Sequence, residues 1–288
     1  MKKTFLMMGT IALFMACTGQ MKEQSTTTEI VEQSLPKIEE GDAVANVNLT
    51  VAEGKRLIAK GIVNHPQIQS LLKKGTIVIT NGTTNTYIAE ELVNLSTPRG
   101  SFVTGHIVPN DKGSISEGLP RMSYITIVDG KQVELSSDEA MQKAKKGDVV
   151  FKGANLLNYE KKQAAVCIGG ASGGTMARIQ ETEASVIIPV GLEKETYGDL
   201  YAYAKLFDDY PEQTPPAPRI WMHSKDAEIF TEIEAIKTVA AVNVVPYAAG
   251  GIAGREGGVS LIIYGKQDEV QKALDFIATV QGEAPFVK

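Results

Sequence analysis

The chain has 288 residues, 43% of them hydrophobic and 22% charged, with a formal net charge of −5 at neutral pH. That length and composition suit one large globular domain or two modest ones, and the mixed charges form no basic stripe of the kind that holds nucleic acid. No cofactor and no metal site is expected, and the only two cysteines are Cys17 and Cys167.

Met1-Lys2-Lys3 followed by the apolar run Thr4–Ala16 has the build of a secretory signal, and the run is shorter than the roughly 20 residues a membrane-spanning helix needs. Cys17 directly after Ala16, with Leu13 upstream, resembles the bacterial lipobox, in which that cysteine becomes the lipidated first residue of the mature protein. Phe14 departs from the usual aliphatic residue, and a plain signal peptide with an incidental cysteine is the alternative. The expectation is a signal peptide over 1–17, a lipid anchor on Cys17 in the bacterial cell envelope, and a flexible Gln-, Thr- and Glu-rich tether over 18–46. Cys167 is then alone, and inside the apolar run Ala164–Ile168 it reads as a small buried hydrophobe.

Thr50 and Glu53 form a capping-box pattern ahead of a helix carrying Leu57 and Ile58, and Pro66 opens a second short helix. Thr76–Thr80 reads as a buried strand, Asn81-Gly82-Thr83-Thr84-Asn85 as a polar turn, and Tyr87/Ile88 with Leu92 as the apolar face of a following helix. The turn lies where the first free N–H groups of that helix point outward, so Thr83, Thr84 and Asn85 either cap the helix or cradle an anion. A strand is expected over Phe102–Val108, a hairpin about Asp129-Gly130, and a helix over Ser137–Lys146. Next come strands at Gly147–Phe151, Ala164–Ile168 and Ser185–Val190, followed by the turns Lys152–Asn155, Gly169–Gly174 and Gly191–Lys194. Strands alternating with helices imply a parallel sheet, whose ligands sit at the strands' carboxyl ends. Asp208–Arg219 is Pro-rich and acidic. After it, a strand at Ile220–His223, a helix at Asp226–Thr238, strands at Val242–Tyr247 and Val259–Tyr264, and a helix at Asp268–Val280 suggest a small ferredoxin-like sandwich.

GTIVITNGTTNTYIAEEL (75–92) resembles the strand–turn–helix element of the ribose-5-phosphate isomerase, CoA-transferase and DeoR-type sugar-phosphate-sensing proteins. KGANLLN followed by GGASGGT, and then VIIPVGLEK, is most similar to the lactate-utilisation (LUD) branch of that superfamily. The resemblance spans roughly Val51 to Lys194 as short motifs in the correct order. It implies a Rossmann-like α/β domain over 47–207 that holds a phosphate or other anion, a linker over 208–218 and a ferredoxin-like domain over 219–288. Lys152 and Asn155 stand where the isomerase pattern puts carboxylates, which argues against sugar isomerisation.

Three functional readings follow. In the first, a small anionic metabolite (phosphate, carboxylate or CoA ester) binds a cleft formed by Asn81, Gly82, Thr83, Thr84, Asn85, Lys152, Gly153, Asn155, Gly170, Ser172, Gly173, Gly174 and Thr175. In the second, the protein is a transferase or isomerase that uses Glu193 or Lys152 as base or nucleophile, although Glu193 beside Lys194 also fits an ordinary ion pair. In the third, the C-terminal segment, with its glycine-rich loop Gly250–Gly258, contacts a protein partner or a second copy of the chain.

Overall fold

The computed structural model describes residues 35, 37–108, 113–168, 174–209 and 219–287. The expected signal peptide, Cys17 and most of the tether lie outside these residues, as do Gly170, Ser172, Gly173 and most of the Pro-rich linker.

The chain opens with β1 (Asp42–Leu49), where Thr50 and Glu53 close the expected capping box on α1 (Val51–Asn64). α2 (Pro66–Leu71), β2 (Thr76–Ile79) and α3 (Thr83–Val93) follow, and Asn94 ends α3 in the left-handed conformation. Arg99–Phe102 is a 3-10 turn in place of the start of the expected strand Phe102–Val108. β3 (Ile125–Val128) and β4 (Lys131–Val133) form the expected hairpin, with Asp129 and Gly130 both at positive φ, as a two-residue turn of this twist requires. Then come α4 (Ser137–Lys143), β5 (Val149–Phe151), β6 (Leu156–Asn158), β7 (Gln163–Ile168), α5 (Gly174–Glu181) and β8 (Ser185–Pro189). A 3-10 turn at Leu192–Lys194 leads to α6 (Leu200–Asp209). The last part holds β9 (Arg219–Met222), β10 (Glu228–Phe230), α7 (Glu232–Lys237), β11 (Asn243–Ala249), β12 (Val259–Lys266) and α8 (Gln267–Ala278). None of the described helices is long and apolar enough to cross a membrane.

The fold is mixed α/β, built on a six-stranded sheet of order β10-β8-β5-β2-β3-β4. The first four strands are mutually parallel, and β3 and β4 continue the sheet antiparallel. Counted in chain order from β2, the six strands lie 3-2-1-4-5-6, with the order reversing between β2 and β5. Strands of such a sheet are covered on both faces. Ile77, Ile79, Val149 and Phe151 pack with Leu57, Ile58 and Ile62 of α1, and Val78 and Val150 pack with Ala140 and Met141 of α4 and Ile179 of α5.

Two smaller antiparallel sheets, β1-β12-β11 and β6-β7-β9, complete the fold. Their pairings change three sequence expectations. Asp42–Asn46, read as tether, is strand, because β1 pairs with β12 from Asp42↔Lys266 to Leu49↔Val259. β7, read as part of the parallel sheet, pairs antiparallel with β6 and β9, so the Gly169–Gly174 turn leaves a different sheet. The strands expected to make a separate ferredoxin-like domain are shared out: β9 joins β7, and β11 and β12 join β1, while β10, inside a stretch expected to be helix, extends the central sheet beside β8. The reason is that backbone donors and acceptors at a strand edge take whichever partner the packing brings, however distant in sequence. Residues 37–288 accordingly cluster as one compact unit.

Two glycines set the depth at which α1 meets α7. A Cβ on Gly61 would come within 2.5 Å of Ala235 Cα, and one on Gly54 within 2.5 Å of Glu232 Oε1. They stand seven residues apart, two helical turns, so both face α7. The loop between β11 and β12 is closed by Arg255, which donates to Gly250 O and Asn48 Oδ1, each at 2.9 Å, and to Ser260 Oγ at 2.7 Å.

Candidate functional site

Because β2, β5, β8 and β10 run parallel, their exit loops open on one edge of the sheet. At the point of order reversal, the carbonyl of Phe151 accepts from Thr80 N–H at 3.2 Å, Thr80 Oγ1 at 2.9 Å and Asn85 Nδ2 at 3.3 Å. Asn85 Nδ2 also donates to Thr80 O at 2.8 Å, and Asn81 Nδ2 donates to Met122 O at 3.0 Å. These two amide nitrogens therefore hold the loop in shape, while the buried Asn85 Oδ1 has no partner among the described residues. Gly82 N–H is bound to Phe102 O, and Gly82 O takes the first helical hydrogen bond from Thr86. The N–H groups of Thr83, Thr84 and Asn85, at the head of α3, have no hydrogen-bond partner among the described residues.

After β5, Asn155 clasps β7: its Nδ2 donates to Cys167 O at 2.8 Å and its Oδ1 accepts from Cys167 N–H at 2.7 Å. This binding candidate is a structural clip. Lys152 is different. Burial pushes its amine down to about 8, and no carboxylate among the described residues offsets that effect. Beside it lies His223, 4% exposed, whose Nε2 donates to Gly153 O at 3.2 Å while Nδ1 has no partner. Burial, reinforced by the Lys152 charge, holds His223 near 4 and hence neutral. Thr175 hydrogen-bonds Tyr124 at 2.8 Å; Tyr124 immediately precedes β3, so the start of α5 is drawn to the same edge. Gly174 opens α5 and is exposed.

At the exits of β8 and β10 lies a buried charged cluster. Glu193 Oε1 is 2.6 Å from Lys194 Nζ and 3.9 Å from Lys55 Nζ of α1. Glu232, 1% exposed, accepts from Leu192 N–H at 2.9 Å through Oε2. Burial pushes Glu193 upward, but the charges of Lys194 and Lys55 and the Lys194 hydrogen bond outweigh it and hold the carboxyl below its ordinary value. Glu232 goes the other way: burial, with the Glu193 charge adding to it, raises it to about 8. Burial and the Lys194 charge lower Lys55 to about 8. At pH 7 the pair Glu193/Glu232 therefore carries one proton, held on Glu232. Glycine makes room for the cluster. A Cβ at Gly191 would stand 1.7 Å from Glu193 Oε2.

Of the sequence candidates, the structure brings Asn81, Gly82, Thr83, Thr84, Asn85, Lys152, Gly153, Asn155, Gly174, Thr175 and Glu193 to this edge. Lys55, His223 and Glu232 were not foreseen. Glu232 was hidden because a helix read through Asp226–Thr238 covers β10, although Thr231 with Glu234 is a capping-box signal that marks the true helix start. Two surface cavities of about 550 and 520 Å³ are lined by none of these residues. No group of carboxylate, histidine or cysteine residues suited to a metal ion is present among the described residues.

Glu232 links the cluster to folding. Between 4.5, its ordinary value, and about 8 the folded chain binds more protons than the unfolded one, so this group's stabilisation is present below 4.5 and is lost as pH rises through 8. Lys55 acts in the next window, from about 8 to 10.5, with stability rising as pH rises. Urea denaturation of the wild type and Glu232→Gln should therefore show the variant gaining relative stability steadily from pH 5 to pH 8. A constant difference between the two across that range would contradict the assignment of the proton to Glu232. No family model matches this chain, and neither a curated protein nor a solved structure matches it.

Proposed function

We propose that the α/β unit binds a small anionic metabolite (a phosphate, carboxylate or CoA ester) at the carboxyl edge of its parallel strands. The observation that carries this reading is the surplus of positive charge there. Lys152 has no offsetting carboxylate among the described residues, and the cluster of Lys55, Lys194, Glu193 and protonated Glu232 holds two cations against one anion at pH 7. The open N–H groups of Thr83, Thr84 and Asn85 head α3 where the strand order reverses, the place at which doubly wound sheets bind ligands. The 3-2-1-4-5-6 order supports a Rossmann-like core of the isomerase/CoA-transferase kind, with its third strand position reached by a hairpin rather than a crossover. Isothermal calorimetry against inorganic phosphate, coenzyme A esters and short carboxylates should find a ligand for the wild type. Lys152→Met should weaken it about tenfold or more, the worth of one charge-assisted hydrogen bond of about 1.5–3 kcal/mol. Wild-type binding to none of these, or equal binding by the variant, removes the reading.

A second reading, a transferase or isomerase-type enzyme, is favoured by one observation: Glu193 is a buried carboxylate kept ionised beside a carboxyl kept protonated. Groups whose pKa values are pushed apart in this way suit a base and an acid. If turnover of a bound metabolite is found, Glu193→Gln should lower kcat per folded molecule by a factor of about 100 or more, beyond any loss of melting temperature caused by leaving Lys194 and Lys55 without their carboxylate. Unchanged kcat eliminates the role.

We infer further that the mature protein is a lipoprotein of the bacterial cell envelope, on the strength of the Lys2-Lys3 n-region, the apolar run and Cys17. Cys17→Ala should move the protein from the membrane to the soluble fraction on cell fractionation. Retention of the variant in the membrane would argue for another mode of attachment.

A further inference from the structure

The buried cluster contains an amine, Lys55, of which the anion reading uses only the charge and the acid–base reading nothing. Lys55 sits in the first turns of α1, its side chain 11% exposed, like that of Glu193. Its Nζ is 3.9 Å from Glu193 Oε1, within ion-pair range but beyond hydrogen-bonding distance, whereas Lys194 Nζ is 2.6 Å from the same oxygen. The amine is therefore enclosed, next to a carboxylate, next to a second cation, and not held by either.

We propose that Lys55 is a nucleophilic amine that forms an imine with the carbonyl carbon of a small aldehyde or keto acid, with Glu193 moving the proton. Two conditions make a lysine nucleophilic near neutral pH: desolvation, and a neighbouring cationic group. Lys55 meets both, since packing around α1 desolvates it and Lys194 is the neighbour. The step balances within the cluster. The neutral amine attacks the carbonyl carbon; Glu193 takes a proton from nitrogen and returns it to the former carbonyl oxygen, giving the carbinolamine. Glu232, a carboxylic acid at this pH, protonates the departing hydroxyl, and water leaves. The resulting iminium cation is offset by the newly ionised Glu232, so the net charge of the buried cluster does not change.

The anion reading counts the charge of Lys55 and this inference its nucleophilicity, so the two are read separately: anion binding by Lys152→Met tests the first and labelling at Lys55 the second. The test incubates the full chain with glyoxylate and sodium cyanoborohydride from pH 6 to pH 9 and locates reduced adducts by peptide mass spectrometry. Lys55 should be labelled about tenfold or more faster than the exposed Lys205 and Lys266, with a rate that passes through a maximum near pH 8, where Lys55 begins to lose its proton and Glu232 still holds its own. Glu193→Gln should slow labelling of Lys55 about tenfold or more while leaving Lys205 unchanged. Should that variant fail to fold, Glu232→Gln serves in its place, with slower capture of Lys55 expected for want of the acid. Labelling of Lys55 no faster than of Lys205, or a rate that both variants leave unaltered, overturns the proposal.

Discussion

Parallel strands cannot be joined by a tight turn, so the contact between β2 and β5 must be made across a long stretch of chain and then held. Here a short ladder from Ile77↔Val149 to Ile79↔Phe151 does this, and one carbonyl at its end adds three further bonds. Phe151 O accepts from the backbone and hydroxyl of Thr80 and from the amide of Asn85, at the last rung of the ladder. Those bonds fix the head of α3 relative to the exit of β5, and with it the distance between the open N–H groups and Lys152. The same constraint explains why the turn is rich in short polar side chains. They satisfy buried backbone groups at the end of two strands, where the regular ladder stops.

The second constraint is electrostatic. A buried carboxylate or ammonium is costly unless paired, and this fold gathers Glu193, Glu232, Lys55 and Lys194 within one enclosure. It reduces the cost in two ways. Glu193 keeps its charge through the Lys194 contact, and Glu232 gives up its charge by holding a proton and accepting the Leu192 N–H. Gly54 and Gly191 remove the side chains that would otherwise fill the space of the two carboxyl groups. A second network, Arg56 and Arg99 with Glu90 and Glu283 around the ring of Tyr87, lies on the far side of α1 and fastens the C-terminal residues to α3. Adjacent residues of one helix, Lys55 and Arg56, thus serve different ends: the arginine is fully engaged by carboxylates and the lysine is not.

Local signals in the sequence match the structure best where neighbours in the chain decide it. Thr50 with Glu53, Pro66, Asp129-Gly130 and the apolar run at 76–80 each act over a few residues, and each element formed as expected. Asn85 and Asn155 were legible as important polar residues but not in their roles. An asparagine that binds a ligand and one that clips two strands look the same until the carbonyls of Phe151 and Cys167 are in place. Glu193 was visible as a carboxylate on a strand exit, whereas Glu232 and Lys55 gave no such cue, because the strand and helix contacts that bury them are made by residues far away in sequence.

By itself, then, the sequence determined the alternation of strands and helices, the caps and turns that bound them, and the placing of a polar turn between β2 and α3. Those features depend on backbone dihedral preference, capping and hydrophobic period, which are local. Only the tertiary structure decided that β10 would extend the parallel sheet, that β1 would pair with β12, and that Lys55 would share an enclosure with Glu193 and Glu232. The physical reason is that the hydrogen bonds of a strand edge and the solvation of a buried charge are properties of what lies opposite in space.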